Sequence, residues 1–134
     1  MPEILFVCEL GAARSTIAAV YFNKLAKEQG LNYQAIFRAT NPDAILKPAT
    51  IKGLTADGFD VSNQAPKLVS QTDINSADQI VTFDCNLPDR LSKPVTQWNG
   101  IPAISNDYSL ARNQIVEKVQ QLINDLAKKQ KKND

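Results

Sequence analysis

The chain has 134 residues, of which 43% are hydrophobic and 22% charged, with 5 glycines. Those proportions suit one ordinary globular domain, residues 1–134, with a core of its own, and exclude a disordered or repeat protein. Fifteen basic residues against fourteen acidic ones leave a net charge of +1, so nucleic-acid binding has little electrostatic support.

The first predicted element is the apolar run Ile4-Leu5-Phe6-Val7, which lacks polar alternation and so suits a central strand buried on both faces. This run, ending at Cys8, is too short for a signal-peptide core or a membrane span, and the expected location is the cytoplasm. After a short loop, Ser15 is placed to cap a helix that begins near Thr16. Its apolar positions Ala18, Tyr21, Phe22 and Leu25 recur at helical spacing until Gly30.

A second strand is expected from Tyr33 to Arg38, before the turn-prone Asn41-Pro42-Asp43, and a short helix from Pro48 to Asp57. Gln79 to Phe83 reads as a third strand and Val95 to Trp98 as a fourth. Pro88, Pro94 and Pro102 mark loops. The final helix starts near Ser109, with Ile115, Val119, Leu122 and Leu126 forming its apolar face. It ends in the lysine cluster Lys128-Lys129-Gln130-Lys131-Lys132, and residues 128–134 read as a frayed basic tail. Alternating strands and helices imply a three-layer α/β fold: a parallel sheet of about four strands with helices on both faces. Ligands of such sheets bind beyond the carboxyl ends of the strands, where Cys8, Cys85 and the segment after Trp98 emerge.

The loop Cys8-Glu9-Leu10-Gly11-Ala12-Ala13-Arg14-Ser15 joins a buried strand to a helix. Its small residues let the backbone curl, and amides pointing into such a curl, with the helix N-terminus behind them, form a nest for an oxyanion. Arg14 supplies a planar two-pronged clamp. The same field favours a nucleophilic thiolate at Cys8, to which Ser15 can donate its hydroxyl. Taken alone, Cys8 also reads as a small buried hydrophobe and Arg14 as a surface residue. The sequence has no histidine, and two thiols alone do not close a zinc site, so neither a metal nor another cofactor is expected.

These residues resemble the low-molecular-weight protein tyrosine phosphatase superfamily, which includes the thiol-coupled arsenate reductases. Phe6-Val7-Cys8, then five residues, then Arg14-Ser15 and a helix is its nucleophile loop. Gly58-Phe59-Asp60-Val61-Ser62-Asn63-Gln64 is similar to an arsenate reductase segment. Ala77 to Thr82 resembles the family's third strand, and Trp98 with Ala111-Arg112-Asn113-Gln114-Ile115 its C-terminal portion. The resemblance implies that Cys8 attacks phosphorus, Arg14 clamps the transition state and Ser15 holds the thiolate, through a cysteinyl-phosphate that water hydrolyses.

Where the phosphatases carry Gly-Asn in the loop, this chain has Leu10-Gly11, so the family's bracing asparagine is absent, and Glu9 adds a negative charge beside the anion site. The family's acid, an Asp before Pro and an aromatic, has its counterpart in Asp107, with Tyr108 as an aromatic wall for a substrate ring. Asp107 equally reads as a turn or cap residue, and Asp84 and Asp89 are alternative donors. Cys85 falls near the resolving cysteine of arsenate reductases, and equally reads as an ordinary buried thiol. With no third cysteine, an intramolecular relay through two further thiols is excluded.

The expected function is phosphomonoester hydrolysis, the partner being a phosphorylated small molecule or a phosphotyrosine protein. Arsenate reduction, with the Cys8 adduct resolved by an external thiol or by Cys85 alone, is the alternative, and an oxyanion-binding domain without turnover the second.

Overall fold

The run Ile4 to Val7 is completely buried, and it forms the middle of strand β1, Glu3–Cys8, in a computed structural model that describes residues 1–87 and 93–132. Parallel neighbours flank β1 on both sides: β2, Gln34–Ala39, and β3, Ala77–Phe83, with Leu5 opposite both Ile36 and Ile80. A short fourth strand, β4, Val95–Gln97, joins the outer edge of β3, giving the order β2-β1-β3-β4 with every pairing parallel. A strand enclosed in this way has no solvated face, which accounts for its unbroken apolarity.

Between β1 and β2 runs α1, Arg14–Glu28, and after β2 come α2, Pro48–Ala56, and a short α3, Gln71–Ser76. The chain closes on the long α4, Tyr108–Lys132. The covering of the sheet is unequal. Phe22 and Ala26 of α1, Leu54 of α2, and Ile115, Val119, Ile123 and Leu126 of α4 share the larger core with Ile4, Phe6 and Cys8. Leu5 and Val7 point the other way, into a smaller core with Ile74 of α3 and Ile80. Period-two alternation along β1 thus puts the Cys8 side chain in the larger layer.

The structure departs from several expectations. Helix α1 starts at Arg14, with Ala13 at its N-cap and no side-chain cap, so Ser15 lies inside the first turn and does not cap it. Within α1, Tyr21 and Leu25 are only partly buried, and Ile17, Phe22 and Ala26 fill the core. In α4, Ile123 takes the buried place expected of Leu122, which sits at the edge of the core. Helix α3 was not expected, because its sequence Gln-Thr-Asp-Ile-Asn-Ser buries only Ile74. A reciprocal cap holds it, the Ser70 hydroxyl accepting from the Asp73 N–H at 3.0 Å while the Asp73 carboxylate accepts from the Ser70 N–H. At the basic end, α4 stays helical to Lys132, and Gln130 bonds the Asn32 N–H at 2.8 Å and the Gly30 carbonyl at 3.3 Å. Pro88 and Asp89 lie outside the described residues. Among the described residues no helix is long and apolar enough to cross a membrane.

Candidate active site

Cys8 ends the central strand, and the chain must then turn into α1 within the span Glu9 to Ala13. Gly11 makes that turn possible in two respects. Its φ of +63° is in the left-handed region, and a Cβ there would come within 2.7 Å of the Ala39 Cβ on the neighbouring strand.

Each carbonyl of the loop is bonded outward. Thr40, Asn41 and Asp43 donate their N–H groups to the carbonyls of Cys8, Glu9 and Leu10, at 3.3, 2.7 and 3.0 Å. The Thr16 hydroxyl donates to Gly11, and the Ile17 N–H donates to Ala13. Ala12 accepts twice, from the Lys47 N–H at 3.1 Å and the buried Thr50 hydroxyl at 2.8 Å. By contrast, no amide from Glu9 to Ala13 donates to a protein acceptor among the described residues. With carbonyls held out and amides left without partners, the loop has the polarity of an anion nest, continued by the uncapped first turn of α1. The loop is thus anchored from the segment after β2 and from the start of α2.

Above Cys8 lies a cavity of about 350 Å³. Cys8, Glu9, Leu10, Ala12, Ala13 and Arg14 of the loop line it, together with Lys47 and a wall segment of Ile101, Ala103, Ile104 and Ser105. The Cys8 sulfur is 2.9 Å from the Ser15 hydroxyl oxygen, and both residues are buried. Glu9 is exposed but lies on the cavity lining. Arg14 donates through Nη1 to Asp84 Oδ2 at 2.7 Å and to the Ile101 carbonyl at 3.3 Å.

Two expected residues sit elsewhere. Asp107 is exposed and precedes α4, where its Oδ1 accepts from the Leu110 N–H at 3.1 Å, the geometry of an N-cap. Tyr108 does not reach the cavity lining. Its hydroxyl donates to Asp57 at 2.8 Å, and its ring fills the space where a Cβ of Gly53 would stand, so the aliphatic residues Leu10, Ile101, Ala103 and Ile104 make the wall expected of it.

Asp57 also accepts from Tyr21 and Arg112, each at 2.7 Å, joining α1, the end of α2 and α4. Burial opposes the Asp57 charge, but these three donors outweigh it and hold the carboxyl below the usual range. Burial, reinforced by Asp57, pushes both tyrosine hydroxyls up.

Cys85 packs with the smaller core on the opposite face of the sheet from Cys8, and its sulfur lies 3.6 Å from the Val7 carbonyl oxygen. Burial first, and the nearby Cys8 second, push its thiol up. Both cysteines are free. Sequence reasoning missed Lys47 and Thr50, which carried no signal, and Asp84 as the partner of Arg14. The 101–105 wall falls in the segment after Trp98, expected beyond the carboxyl ends of the strands, and Asp84 stands directly beyond β3.

The fold and the loop both have counterparts. A thioredoxin-dependent arsenate reductase of Corynebacterium glutamicum superposes with a TM-score of 0.78 at 21% identity, covering 95% of this chain but only 62% of that one. An arsenate reductase from Archaeoglobus fulgidus gives 0.74 at 25% identity over 90% of this chain and 98% of that one. A low molecular weight protein tyrosine phosphatase from Streptococcus pyogenes gives 0.77 at 18% identity, covering 94% and 93%. No curated protein matches the sequence. The model of the family described as low molecular weight phosphotyrosine protein phosphatase matches residues 3–101, which include the Cys8 loop, Asp84 and the first residue of the wall segment. With most of its length matched in sequence and its architecture shared with both branches, this chain belongs to the low molecular weight phosphotyrosine protein phosphatase family.

Proposed function

We propose that the chain is a cysteine-dependent phosphatase that hydrolyses phosphomonoesters. The observation that carries this reading is the polarity of the loop: six carbonyls bonded, amides without protein acceptors among the described residues, and Cys8 and Arg14 on the lining of one cavity.

In this mechanism the amides of the loop and Arg14 bind the phosphoryl oxygens, and the Cys8 thiolate attacks phosphorus from below. A sulfur–phosphorus bond forms as the phosphorus–oxygen ester bond breaks, and the leaving oxygen takes the electron pair and a proton. Water then attacks the cysteinyl-phosphate, releasing inorganic phosphate and returning the thiolate, which the Ser15 hydroxyl receives. Two carboxylates are candidates for the proton. Asp107 lies two residues beyond the wall residue Ser105, and Glu9 lines the cavity itself. The substrate is a phosphorylated small molecule or a phosphotyrosine protein.

Arsenate reduction is the second reading, favoured by the free thiol of Cys85 beyond β3 and by the arsenate reductases of similar fold. It ranks second because Cys85 packs with the smaller core and does not line the cavity with Cys8, so the resolving thiol would be external or Cys85 after a shift of its loop. Aryl phosphate hydrolysis and arsenate consumption, assayed together with and without added thiol, separate the readings. Phosphate release that ignores thiol supports the phosphatase, and arsenate loss that requires thiol supports the reductase.

A further inference from the structure

Asp84 is the one non-glycine residue with positive φ among the described residues, at 50°, and it stands directly after β3. A residue other than glycine in this conformation is held there by its surroundings. Three contacts hold Asp84: its N–H donates to Asn99 Oδ1 at 3.0 Å, its carboxylate oxygens accept from the Gly100 N–H at 3.2 and 3.3 Å, and Oδ2 accepts from Arg14 Nη1.

The arithmetic of the guanidinium gives this arrangement a purpose. Arginine has five N–H donors, two of them on Nη1. Asp84 and the Ile101 carbonyl occupy both Nη1 protons. The donors that remain are the one on Nε and the two on Nη2, and the Nε–H with the Nη2–H beside it forms the parallel edge that grips two oxygens of a tetrahedral anion at once. Arg14 lines the cavity and Asp84 does not, so the carboxylate takes the guanidinium from its far side.

We infer that Asp84 is a positioning residue for the anion clamp: it fixes Arg14 by Nη1, so that the Nε–Nη2 edge is presented to an oxyanion above Cys8. The inference rests on the reading that this site binds a tetrahedral oxyanion. It also gives Asp84 a role other than proton donor, since its oxygens are already engaged as acceptors. Through Gly100 and Ile101, the same contacts lock the clamp to the wall segment that encloses the substrate.

Asp84→Asn tests this with little risk to the fold, because asparagine tolerates positive φ better than most residues and its amide oxygen can still accept from Gly100. Inorganic phosphate binding, read by calorimetry, is compared in four chains: unaltered, Asp84→Asn, Arg14→Ala and the double variant. The unaltered chain and Asp84→Asn are also assayed with nitrophenyl phosphate. We expect Asp84→Asn to keep its melting temperature, to bind phosphate about tenfold more weakly and to lose a similar factor in kcat/KM, with no further weakening of binding when added to Arg14→Ala. Unchanged binding in Asp84→Asn overturns the inference, as does tighter binding, which would mean that Asp84 competes with the anion for Arg14. An equal loss in the Arg14→Ala background also overturns it, since a general structural role acts without the guanidinium. If no chain hydrolyses the ester while Asp84→Asn still weakens phosphate binding, the phosphatase reading fails and the positioning role stands.

Discussion

The Ser15 hydroxyl oxygen, in the first turn of α1, lies 2.9 Å from the Cys8 sulfur at the end of β1, and both residues are buried. When the sulfur is ionised the hydroxyl is the donor, and a hydrogen bond to a buried charge contributes about 1.5–3 kcal/mol. Ser15→Ala is therefore expected to lower kcat on nitrophenyl phosphate by about ten- to a hundredfold, with a small change in KM. Slower inactivation by iodoacetate at neutral pH should accompany the loss. An alanine variant that matches the unaltered chain in both measurements would remove Ser15 from the mechanism.

Cys8→Ser should abolish turnover and leave phosphate or vanadate binding largely intact, because the amides and Arg14 remain. Arg14→Lys should not restore full activity, since an ammonium cannot grip two oxygens side by side and cannot keep the planar contacts to Asp84 and Ile101. Steady-state kinetics with isothermal phosphate titration measure both. Equal rates for Arg14→Lys and the unaltered chain would show that charge alone suffices.

The proton donor can be found by varying the leaving group. If Asp107 is the acid, Asp107→Asn slows alkyl phosphates by about 10²–10⁴ and nitrophenyl phosphate far less, and the basic limb of the pH profile disappears. If its work is the cap on the Leu110 N–H, asparagine caps as well and the rates stay level. Glu9→Gln distinguishes the other candidate, whose carboxylate borders the cavity. A leaving-group dependence that steepens only in Glu9→Gln moves the acid into the loop.

The Asp57 cluster governs stability at both ends of the pH range. The fold holds the Asp57 carboxyl below its ordinary value, so its contribution is complete above pH ~4 and is lost as the pH falls through the lowered value. The tyrosines are shifted the other way: Tyr21 and Tyr108, pushed up by burial and by Asp57, contribute fully below pH ~10 and lose that contribution as the pH rises through their raised values. Asp57→Ala leaves two hydroxyls and Arg112 without their acceptor and should cost about 2–3 kcal/mol. Denaturant titrations of both chains at acid, neutral and alkaline pH check this; the variant should show the flatter profile on both limbs.

How much of this was legible in the sequence depends on how local each feature is. Ile4 to Val7 announced a central strand because unbroken apolarity is what enclosure on two faces demands, and the order of strands and helices followed from their alternation. The step from strand to helix around Cys8 and Arg14 was legible for the same reason. Helix α3 was not, because its stability comes from the Ser70 and Asp73 cap and from the 3.0 Å ion pair of Asp73 with Arg38, and apolar periodicity does not register either. Tyr108 illustrates a different failure. An aromatic beside Asp107 fits a substrate wall in one dimension, but whether its hydroxyl turns to the cavity or to Asp57 depends on α2, some fifty residues earlier. The pairing of Arg14 with Asp84 spans seventy positions and has no sequence periodicity at all.

The outward-tied carbonyls mean that the loop has no shape of its own. The carbonyls of Cys8, Glu9, Leu10 and Ala12 are held by Thr40, Asn41 and Asp43 beyond β2 and by Lys47 and Thr50 at the start of α2, so the nest keeps its polarity while those segments are docked. An anion seated on the inner amides would meet a surface whose reverse side is fastened to two other stretches of the chain, and letting go of either would free a carbonyl. Binding and docking are then a single equilibrium viewed from two sides, and an oxyanion in the cavity acts as a clasp on the whole edge of the domain from β2 to α2.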